Sequence, residues 1–269
     1  MSSKGAGDEN FPVASRLLSA KSRPHVMAFY AFARTADDVA DDPSLRPQDK
    51  LDVLMSMSEQ LASGLADPSL AVYNLHQSLN ATHVTHSHAQ DLLKAFMRDA
   101  GKPRTDDWAD LMSYCELSAA PVGRYLIDLE DGSAARGYDA NDALCAALQI
   151  LNHIQDVKDD YLSLSRIYVP ADWMAECGVV EKDLAADHAS PGLRRVLDQM
   201  LDGVDALLVA AKPLPKDIRT RSLAREAGGI LCIAKGLSKQ LRAQDPVAGR
   251  VELSKLQAAR HFLWGAFRA

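Results

Sequence analysis

The stretch HVMAFYAFARTADDVADD, residues 25–42, carries the pattern from which the fold is predicted. Its composition favours a helix, and Pro24 suits the first turn of that helix. At 100° per residue, one arc about 60° wide carries polar side chains one turn apart: Tyr30, Arg34, Asp37 and Asp41. Phenylalanine and alanine residues flank this arc, so the polar stripe borders the buried face of the helix and does not lie opposite it.

The placement of these carboxylates suggests a bound cation. Asp37 and Asp41 lie one turn apart and would repel each other, and next to a core they would also lose hydration. A divalent cation removes both costs, and Mg²⁺ prefers oxygen ligands from one or two carboxylates together with water or phosphate. Asp38 lies just beside the arc. The alternative interpretation is a solvated acidic face at a helix end.

A second stretch, ALCAALQILNHIQDVKDDY at residues 143–161, repeats the pattern. Its polar arc consists of Gln149, Asn152, Asp156 and Asp160. Two such helices, about 115 residues apart, indicate facing walls of one cavity. Helical bundles build metal sites from inward side chains on facing helices in this way.

Good helix formers dominate the rest of the chain, and we find no confident strand. Helices are predicted at about 11–20, 24–41, 47–64, 69–80, 86–99, 107–130, 140–163, 170–177, 181–186, 192–211, 215–242 and 253–267. Pro121 should kink the helix over 107–130. Residues 1–8 are predicted to be disordered and residues 9–269 to form one all-α domain.

Composition excludes several classes of protein. The net charge of −6 gives a nucleic-acid partner no electrostatic support. The four cysteines form no C-x-x-C pair and are interpreted as reduced thiols of a cytoplasmic protein. The N-terminus lacks the apolar core of a signal peptide, and no apolar run approaches the ~20 residues that a membrane-spanning helix needs.

Two further features allow alternative readings. His83, His86 and His88 could contribute to a metal site, but no further ligand is evident, so a polar segment between helices is preferred. Residues 256–269 combine large apolar side chains with Arg260 and Arg268. This tail could contact a membrane interface, although a packed terminal helix is the simpler interpretation.

Four motifs, in order along the chain, resemble those of the squalene/phytoene synthase family. They are Tyr30-x-x-x-Arg34 followed by Asp37-x-x-x-Asp41, YCELSAAPVG at residues 114–123, Gln149-x-x-Asn152-x-x-x-Asp156-x-x-x-Asp160, and Arg166-Ile-Tyr-Val-Pro170. The resemblance spans residues 9–245. It implies an all-α isoprenoid synthase fold, in which aspartate-rich helices hold Mg²⁺ ions that bind a prenyl diphosphate and assist its departure.

The resemblance also implies roles for individual residues. The metal ligands or their close supports would be Asp37, Asp38, Asp41, Asn152, Asp156 and Asp160. Substrate would contact Arg34, Arg166, Tyr168 and Phe11, while Tyr30 and Tyr114 would line the cavity, Tyr114 at the position of a proposed proton-moving tyrosine. Gln149 and Asn10 are candidates to orient a water molecule. The side chain of Phe11 could equally be plain core packing.

Three local stretches, two of them departures from the general pattern, resemble the hydroxysqualene synthase branch of bacterial hopanoid biosynthesis. The segment Glu9–Ser15 lacks the His-Ser pair of condensing members, Gln155 stands where most members carry Arg, and DPVAGRVELSK closes the chain at residues 245–255. This branch ionises presqualene diphosphate with Mg²⁺ and captures the cation with water. It implies a partnership with a presqualene diphosphate synthase and a hydroxysqualene reductase, and a place in the cytoplasm or at the inner membrane.

Two alternatives stay open. A condensing enzyme of the same family would make presqualene diphosphate, squalene or phytoene. A non-catalytic relative would act in assembly, but such relatives generally lose the metal-binding aspartates, and both motifs are retained here. No dinucleotide fingerprint is present, so no NADPH is predicted.

Overall fold

The computed structural model describes residues 19–132 and 137–269. Within these ranges the α-helices are α1 (Arg23–Asp41), α2 (Pro47–Ser63), α3 (Ala71–Thr82), α4 (Ser87–Gly101), α5 (Trp108–Ser118), α6 (Ala120–Asp131), α7 (Tyr138–Gln155), α8 (Val157–Leu164), α9 (Ala171–Glu176), α10 (Pro191–Ala210), α11 (Leu214–Asp217), α12 (Arg221–Ala243) and α13 (Lys255–Arg268). A 3₁₀ turn spans Glu181–Ala185. The described residues contain no strand, only an isolated bridge between Arg104 and Ile167. The prediction of an all-α fold is confirmed.

Local sequence explains several helix ends. Pro47 and Pro191 occupy the first turns of α2 and α10, where a missing N–H costs nothing. The Ser190 hydroxyl accepts a hydrogen bond of 3.1 Å from the Leu193 N–H at the start of α10. Gly64 ends α2 in the left-handed conformation, with φ of 71°, which favours glycine.

The helix predicted over 107–130 is divided at Ala119. Pro121 has no N–H to continue the hydrogen-bond ladder of α5, and Ala119 departs from helical geometry with φ of −119°. The kink predicted at Pro121 is therefore confirmed, and its consequence is two helices, α5 and α6.

Two other predicted helices are also divided, and the sequence pattern within each helix does not predict the break. The helix over 140–163 turns at Asp156, whose φ is −100°. The helix over 215–242 is interrupted between α11 and α12. There the Asp131 carboxylate accepts hydrogen bonds from the N–H groups of Arg219 and Thr220, at 2.7 and 2.8 Å, so a side chain from α6 holds the turn that precedes α12.

The N-terminal predictions lie mostly outside the described residues. These are the disordered segment 1–8, most of the helix over 11–20, and the residues Asn10 and Phe11. Ser19 and Ala20, which the predicted helix included, precede α1 in a turn instead. The assignment of residues 9–269 to one domain stays a prediction.

Helix α7 occupies a central position and packs against α5, α6, α10 and α12. Its buried positions include four alanines, which let neighbouring helices approach closely: Ala140, Ala143, Ala146 and Ala147. The buried apolar side chains of the described residues form one cluster that runs from α1 to the segment after α12. Burial of this surface is the main force that holds the helices together.

Helix α13 packs along α12 through glycines. A Cβ atom added at Gly265 would lie 2.0 Å from the Gly228 carbonyl oxygen, and one added at Gly229 would lie 2.5 Å from the Phe262 ring. The packed terminal helix is thus observed, although some of its large apolar side chains stay exposed. No helix in the described part of the chain is both long and apolar enough to cross a membrane.

We expect Gly265→Ala to lower the free energy of unfolding by about 1–3 kcal/mol, because the new methyl group would overlap the backbone of α12. Urea unfolding monitored by circular dichroism measures the change. Gly101→Ala is the matched control, since Gly101 ends α4 with open space around it. Equal stability of the two variants would contradict the backbone contact between α12 and α13.

Candidate active site

A cavity of about 490 Å³ lies between α1, α4, α6, α7 and α12. Most of its lining is apolar, contributed by side chains such as Phe29, Phe96, Leu144 and Ile230. A few polar and charged side chains also face it: Tyr30, Arg34, Asp37, Ser118, Asn141, Gln149, Asn152 and Glu226. The cavity therefore resembles a ligand site, in which a small number of polar groups orient a mainly apolar molecule.

Helix α1 supplies one charged part of the wall. Phe29, Ala36 and Ala40 are buried, and this fixes the rotation of the helix so that Tyr30, Arg34 and Asp37 line the cavity. The Arg34 guanidinium donates to the Asp37 carboxylate at 2.9 Å and to that of Asp38 at 2.6 Å. The carboxylates of the first acidic motif are thus already paired with a positive charge, the guanidinium of Arg34.

The Asp37 carboxyl carries an unfavourable charge. Burial beside the cavity, together with repulsion from the Asp41 carboxylate, raises its pKa from 3.8 to about 7 although Arg34 opposes the shift. Loss of hydration dominates this effect. A cation at this carboxyl would remove the cost that Arg34 leaves uncompensated.

Asp41 is not among the cavity-lining residues and contacts the loop after α8. Arg166, which is 7% exposed, donates to the Asp41 carboxylate at 2.6 Å and to the Ala40 carbonyl at 2.9 Å. A buried guanidinium requires such partners. Arg166 therefore fastens the end of α1 to the loop that the fourth motif forms.

The second acidic motif has two environments. Gln149 and Asn152 line the cavity. Asp156 and Asp160 do not belong to the lining: Asp156 forms a short ion pair with Arg250, and the Asp160 carboxylate lies 3.5 Å from His153 Nδ1. The turn at Asp156 separates the two halves of the predicted polar arc.

The two motifs meet at the cavity through Asp37 and Asn152. Among the described residues, no three His, Cys, Asp or Glu side chains converge as a ready-made metal site. The donors present are carboxylate and amide oxygens, the type that Mg²⁺ prefers, and Mg²⁺ commonly takes its remaining ligands from water and phosphate. The donor chemistry and the raised pKa of Asp37 therefore fit a magnesium site completed by a diphosphate.

Tyr114 was expected to line the cavity, but the structure places it behind the wall. Its hydroxyl donates to the Asp99 carboxylate at 2.8 Å, and the Tyr168 hydroxyl donates to the other oxygen of Asp99 at 2.9 Å. Burial raises the pKa of Asp99 and raises the pKa values of both tyrosines well above their usual range. Tyr114, predicted to line the cavity, and Tyr168, predicted to contact substrate, thus both belong to a buried polar network.

His153 connects this network to the cavity. Its ring stacks on Tyr168 with centroids 3.6 Å apart, and its Nε2 lies 3.1 Å from the Gln149 side-chain nitrogen. Since that amide nitrogen can only donate, His153 Nε2 accepts and the ring proton resides on Nδ1, which faces Asp160. The carbonyl oxygen of Gln149 is thereby left available to a ligand in the cavity.

The histidines of the α3–α4 region do not converge on one site. His88 was placed in a polar inter-helix segment, but it lies within α4, is buried, and its Nε2 lies 2.8 Å from the Asp128 carboxylate. His86 stacks on His76 instead, with ring centroids 5.1 Å apart. These contacts join α4 to α6 and α3. The prediction that these histidines lie in a loop between helices is therefore wrong for His88, which packs between helices.

Comparison with known proteins identifies the family. A profile of the squalene/phytoene synthase family matches residues 5–257. The chain belongs to this family. This confirms the resemblance carried by the four motifs.

Alignments with individual relatives cover nearly the whole chain. The chain is 39% identical over 260 residues to a hydroxysqualene synthase of Zymomonas mobilis, and the alignment covers 96% of this chain and 86% of the relative. It is 37% identical over 257 residues to a hydroxysqualene synthase of Rhodopseudomonas palustris, covering 95% and 87%. These alignments include both acidic helices and the cavity walls.

A solved structure with a similar fold is that of the squalene synthase HpnC from Alicyclobacillus acidocaldarius. It has a TM-score of 0.76 and 30% identity, covering 86% of this chain and 87% of the other. A dehydrosqualene synthase in complex with ligand has a TM-score of 0.82 at 21% identity, covering 96% and 91%. The second likeness supports only the helical fold of this chain.

Three residues of the site region escaped the sequence analysis: Asp99, His153 and Arg250. Two of them had a detectable signal. Asp99 falls on the buried face of α4, in helical register with Leu92 and Ala95, and a carboxylate at an apolar position needs partners. His153 likewise falls on the buried face of α7. Arg250 lies in the stretch at residues 245–255 noted above, but the sequence carried no signal for its pairing with Asp156, because the two residues are 94 positions apart.

We expect the free energy of unfolding of the protein, measured without divalent cations, to fall as the pH rises from about 4 to about 7. Asp37 has a folded-state pKa of about 7 against 3.8 in the unfolded chain, so the folded state binds more protons in this window. Asp37→Asn should flatten this dependence and be more stable than wild type at pH 8. Urea unfolding in EDTA at several pH values measures it.

The control is Asp52→Asn, on an exposed position of α2. It should retain the pH dependence of the wild type. If Asp37→Asn keeps the wild-type slope as well, the unfavourable charge does not reside on Asp37.

Proposed function

We propose that this protein is a hydroxysqualene synthase, which converts presqualene diphosphate and water into hydroxysqualene and diphosphate. The observation that carries the proposal is its identity of 39%, 37% and 35% to three hydroxysqualene synthases, each over at least 94% of this chain. Phytoene synthases are 26–28% identical to it, and a presqualene diphosphate synthase is 28% identical. The cavity, with few polar groups in a mainly apolar wall, supports the same conclusion.

Magnesium is proposed as the cofactor. Asp37 and Asn152 would hold it at the cavity, supported by Asp38, Asp41, Asp156 and Asp160, and it would act as a Lewis acid toward the leaving diphosphate. Arg34 and Arg166, which pair with Asp37 and Asp41, would bind the diphosphate oxygens, for which the guanidinium geometry is suited.

The chain's own groups account for the remaining steps. The bond between carbon and the diphosphate oxygen breaks with its electron pair on oxygen, and the apolar wall keeps bulk water from the resulting cation. His153 Nε2 accepts a hydrogen bond from the Gln149 side-chain amide, so the Gln149 carbonyl oxygen can accept a hydrogen bond from one water and aim it at the cation. That water adds to carbon, and its surplus proton passes to the released diphosphate.

The proposed reaction defines neighbouring reactions. A condensation of two prenyl diphosphates must supply presqualene diphosphate, and a reduction would consume hydroxysqualene. We therefore propose a functional partnership with a presqualene diphosphate synthase and a hydroxysqualene reductase.

Incubation of the purified protein with presqualene diphosphate and Mg²⁺, with and without NADPH, tests the function. We expect hydroxysqualene under both conditions, identified by mass spectrometry. Squalene that appears only with NADPH would indicate a reductive synthase. Conversion of farnesyl diphosphate alone into a long-chain product would indicate a condensing enzyme.

We expect Asp37→Ala and Asp156→Ala to slow diphosphate release by at least about 100-fold, because a Lewis-acid contribution of several kcal/mol is lost. Colorimetric detection of released phosphate after pyrophosphatase treatment measures the rate. Asp198→Ala is the control, since Asp198 pairs with Arg194 on α10 in the same carboxylate–guanidinium arrangement. Full turnover in the two motif variants would exclude the metal role of these carboxylates.

We also propose that α13 contacts an anionic membrane surface. One face of the helix exposes large apolar side chains: Leu256, Leu263, Trp264 and Phe267, which are 81%, 69%, 55% and 86% exposed. Arg260 lies on the same face, Lys255 and Arg268 flank it, and residues 253–269 contain no acidic side chain. In a chain of net charge −6, this local excess of positive charge complements anionic lipids. Such contact would suit the apolar substrate and product.

We expect the double variant Trp264→Ser, Phe267→Ser to bind phosphatidylglycerol vesicles at least about tenfold more weakly than wild type, because two inserted side chains are lost. Co-sedimentation measures the binding. The matched control, Leu65→Ser with Val209→Ser, removes two exposed apolar side chains outside α13. Wild-type protein that binds only uncharged vesicles, or none, would contradict the charged interface.

A further inference from the structure

A serine hydroxyl beside the cavity forms no hydrogen bond with the part of the protein that the structure describes. Ser118 is the last residue of α5 and lines the cavity, and its hydroxyl oxygen is buried without a partner among residues 19–132 and 137–269. By contrast, the Ser113 hydroxyl of the same helix donates to the Ala109 carbonyl, one turn back, at 3.0 Å. Burial of a hydroxyl without a hydrogen bond is unfavourable, so a partner from the cavity would stabilise Ser118.

Two contacts give the relative direction of the helices beside Ser118. The Tyr114 ring of α5 and the His153 ring of α7 have centroids 5.8 Å apart. Further along the chain, a Cβ atom added at Gly123 of α6 would lie 1.9 Å from Asn141 Oδ1 of α7. Residue numbers that rise along α5 and α6 therefore correspond to numbers that fall along α7.

This direction places Ser118 opposite Gln149. Ser118 lies one turn after Tyr114, and Gln149 lies one turn before His153. Residues one turn apart share a helix face, and both Ser118 and Gln149 line the cavity. The Gln149 side-chain nitrogen is engaged by His153 Nε2 at 3.1 Å, which leaves the Gln149 carbonyl oxygen for a ligand. A hydroxyl and a carbonyl oxygen from two helices thus lie at one level of the cavity wall.

The wall around this pair is apolar. Neighbouring lining residues on these helices carry no polar side chain: Ala119, Val122, Leu144 and Leu148. The next polar side chain toward the start of α7, Asn141, already donates to the Ala120 carbonyl and to the Asp142 carboxylate, at 3.3 and 3.1 Å. A buried water needs at least two polar partners, so the level of Ser118 and Gln149 suits one water molecule in an otherwise apolar wall.

The chemistry of water addition explains why two acceptors matter. A water molecule adds to a cation through a lone pair on its oxygen, so both of its hydrogens must point elsewhere. Hydroxyl and carbonyl oxygens each accept a hydrogen bond, and a water held by both presents a lone pair to the cavity. As the new bond between oxygen and carbon forms, one O–H bond of the water breaks and its proton passes to the released diphosphate, so atoms and charge balance.

We propose that Ser118 and Gln149 together form the binding site of the water molecule that attacks the cation, with the Ser118 hydroxyl as the second acceptor. The assignment rests on the proposed function and deepens it. A water held by Gln149 alone could rotate about its single hydrogen bond, whereas the second hydrogen bond fixes the direction of attack.

Product analysis with presqualene diphosphate and Mg²⁺ tests the proposal, with released diphosphate and hydroxysqualene measured in the same reaction. Ser118→Ala should release diphosphate at the wild-type rate, because ionisation does not involve the water. Its ratio of hydroxysqualene to diphosphate should fall at least about tenfold, as expected when one hydrogen bond to the water is lost. The balance should appear as hydrocarbons formed by proton loss from the cation, detected by mass spectrometry. A parallel fall in diphosphate release would instead indicate a structural role and overturn the proposal.

Variants matched in shape separate the hydroxyl from its packing. Ser118→Thr keeps the hydroxyl and should keep most of the wild-type product ratio, whereas Ser118→Val has nearly the same volume and should lose it. Equal ratios in these two variants would overturn the role of the hydroxyl. Ser113→Ala is the control, since it removes the paired hydroxyl of the same helix and should leave the ratio unchanged.

A second variant tests whether the two residues act on one water. Gln149→Leu should lower the product ratio in the same direction as Ser118→Ala. The double variant should show a smaller loss than the two single losses multiplied, because both side chains hold the same molecule. Fully multiplicative losses would mean that the residues act independently, which contradicts a shared site.

A crystal structure of the wild-type protein with inorganic diphosphate and Mg²⁺ gives a readout without turnover. We expect an ordered water within hydrogen-bond distance of Ser118 Oγ and Gln149 Oε1, and no such water in Ser118→Val. An ordered water in both structures would overturn the part assigned to the Ser118 hydroxyl.

The outcomes distinguish the water site from the proposed function. Wild-type protein that forms no hydroxysqualene would overturn the proposed function and this assignment with it. Hydroxysqualene from the wild type, with an unchanged product ratio in Ser118→Ala, would overturn the role of Ser118 alone and leave the proposed function standing.

Discussion

The site depends on the compensation of carboxylate charge at the edge of an apolar cavity. Three arginines from separate parts of the chain pair with Asp37, Asp41 and Asp156. One arginine lies on α1, one in the loop after α8, and one in the segment after α12, so charge pairing joins these parts around the cavity. Compensation is incomplete, because burial still raises the pKa of Asp37 to about 7. The proposed magnesium ion would relieve this remaining cost.

Helix interruptions determine which side chains reach the cavity and which stay behind it. The break at Ala119 brings that residue and Val122 into the lining. The turn at Asp156 leaves Asn152 at the cavity and directs Asp156 toward the C-terminal segment. Behind the wall, the hydrogen bonds of Asp99 to two tyrosines form a buried polar network, which rigidifies its surroundings when its members are satisfied.

Sequence patterns were sufficient for the features that repeat within one helix. The spacing of Tyr30, Arg34 and Asp37 on α1 predicts the wall that the structure shows, and so does the spacing of Gln149 and Asn152 on α7. Contacts between distant segments could not be predicted from these patterns. The hydrogen bonds of Asp131 to the turn before α12 and the pairing of Arg250 with Asp156 each join residues about 90 residues apart. Tyr114 was misplaced because the deciding partner, Asp99, is a carboxylate on another helix.

The glycine contact between α12 and α13 limits how this enzyme can diversify. Leu223, Ala227 and Ile230 of α12 face the cavity, while Gly228 and Gly229 meet α13 with no space for a side chain. A bulkier residue at either glycine would shift the helix and with it that wall of the cavity. Room to reshape the cavity without moving a helix therefore lies in the side chains of α1, α4, α6 and α7, while the position of α12 is fixed from behind by its contact with α13.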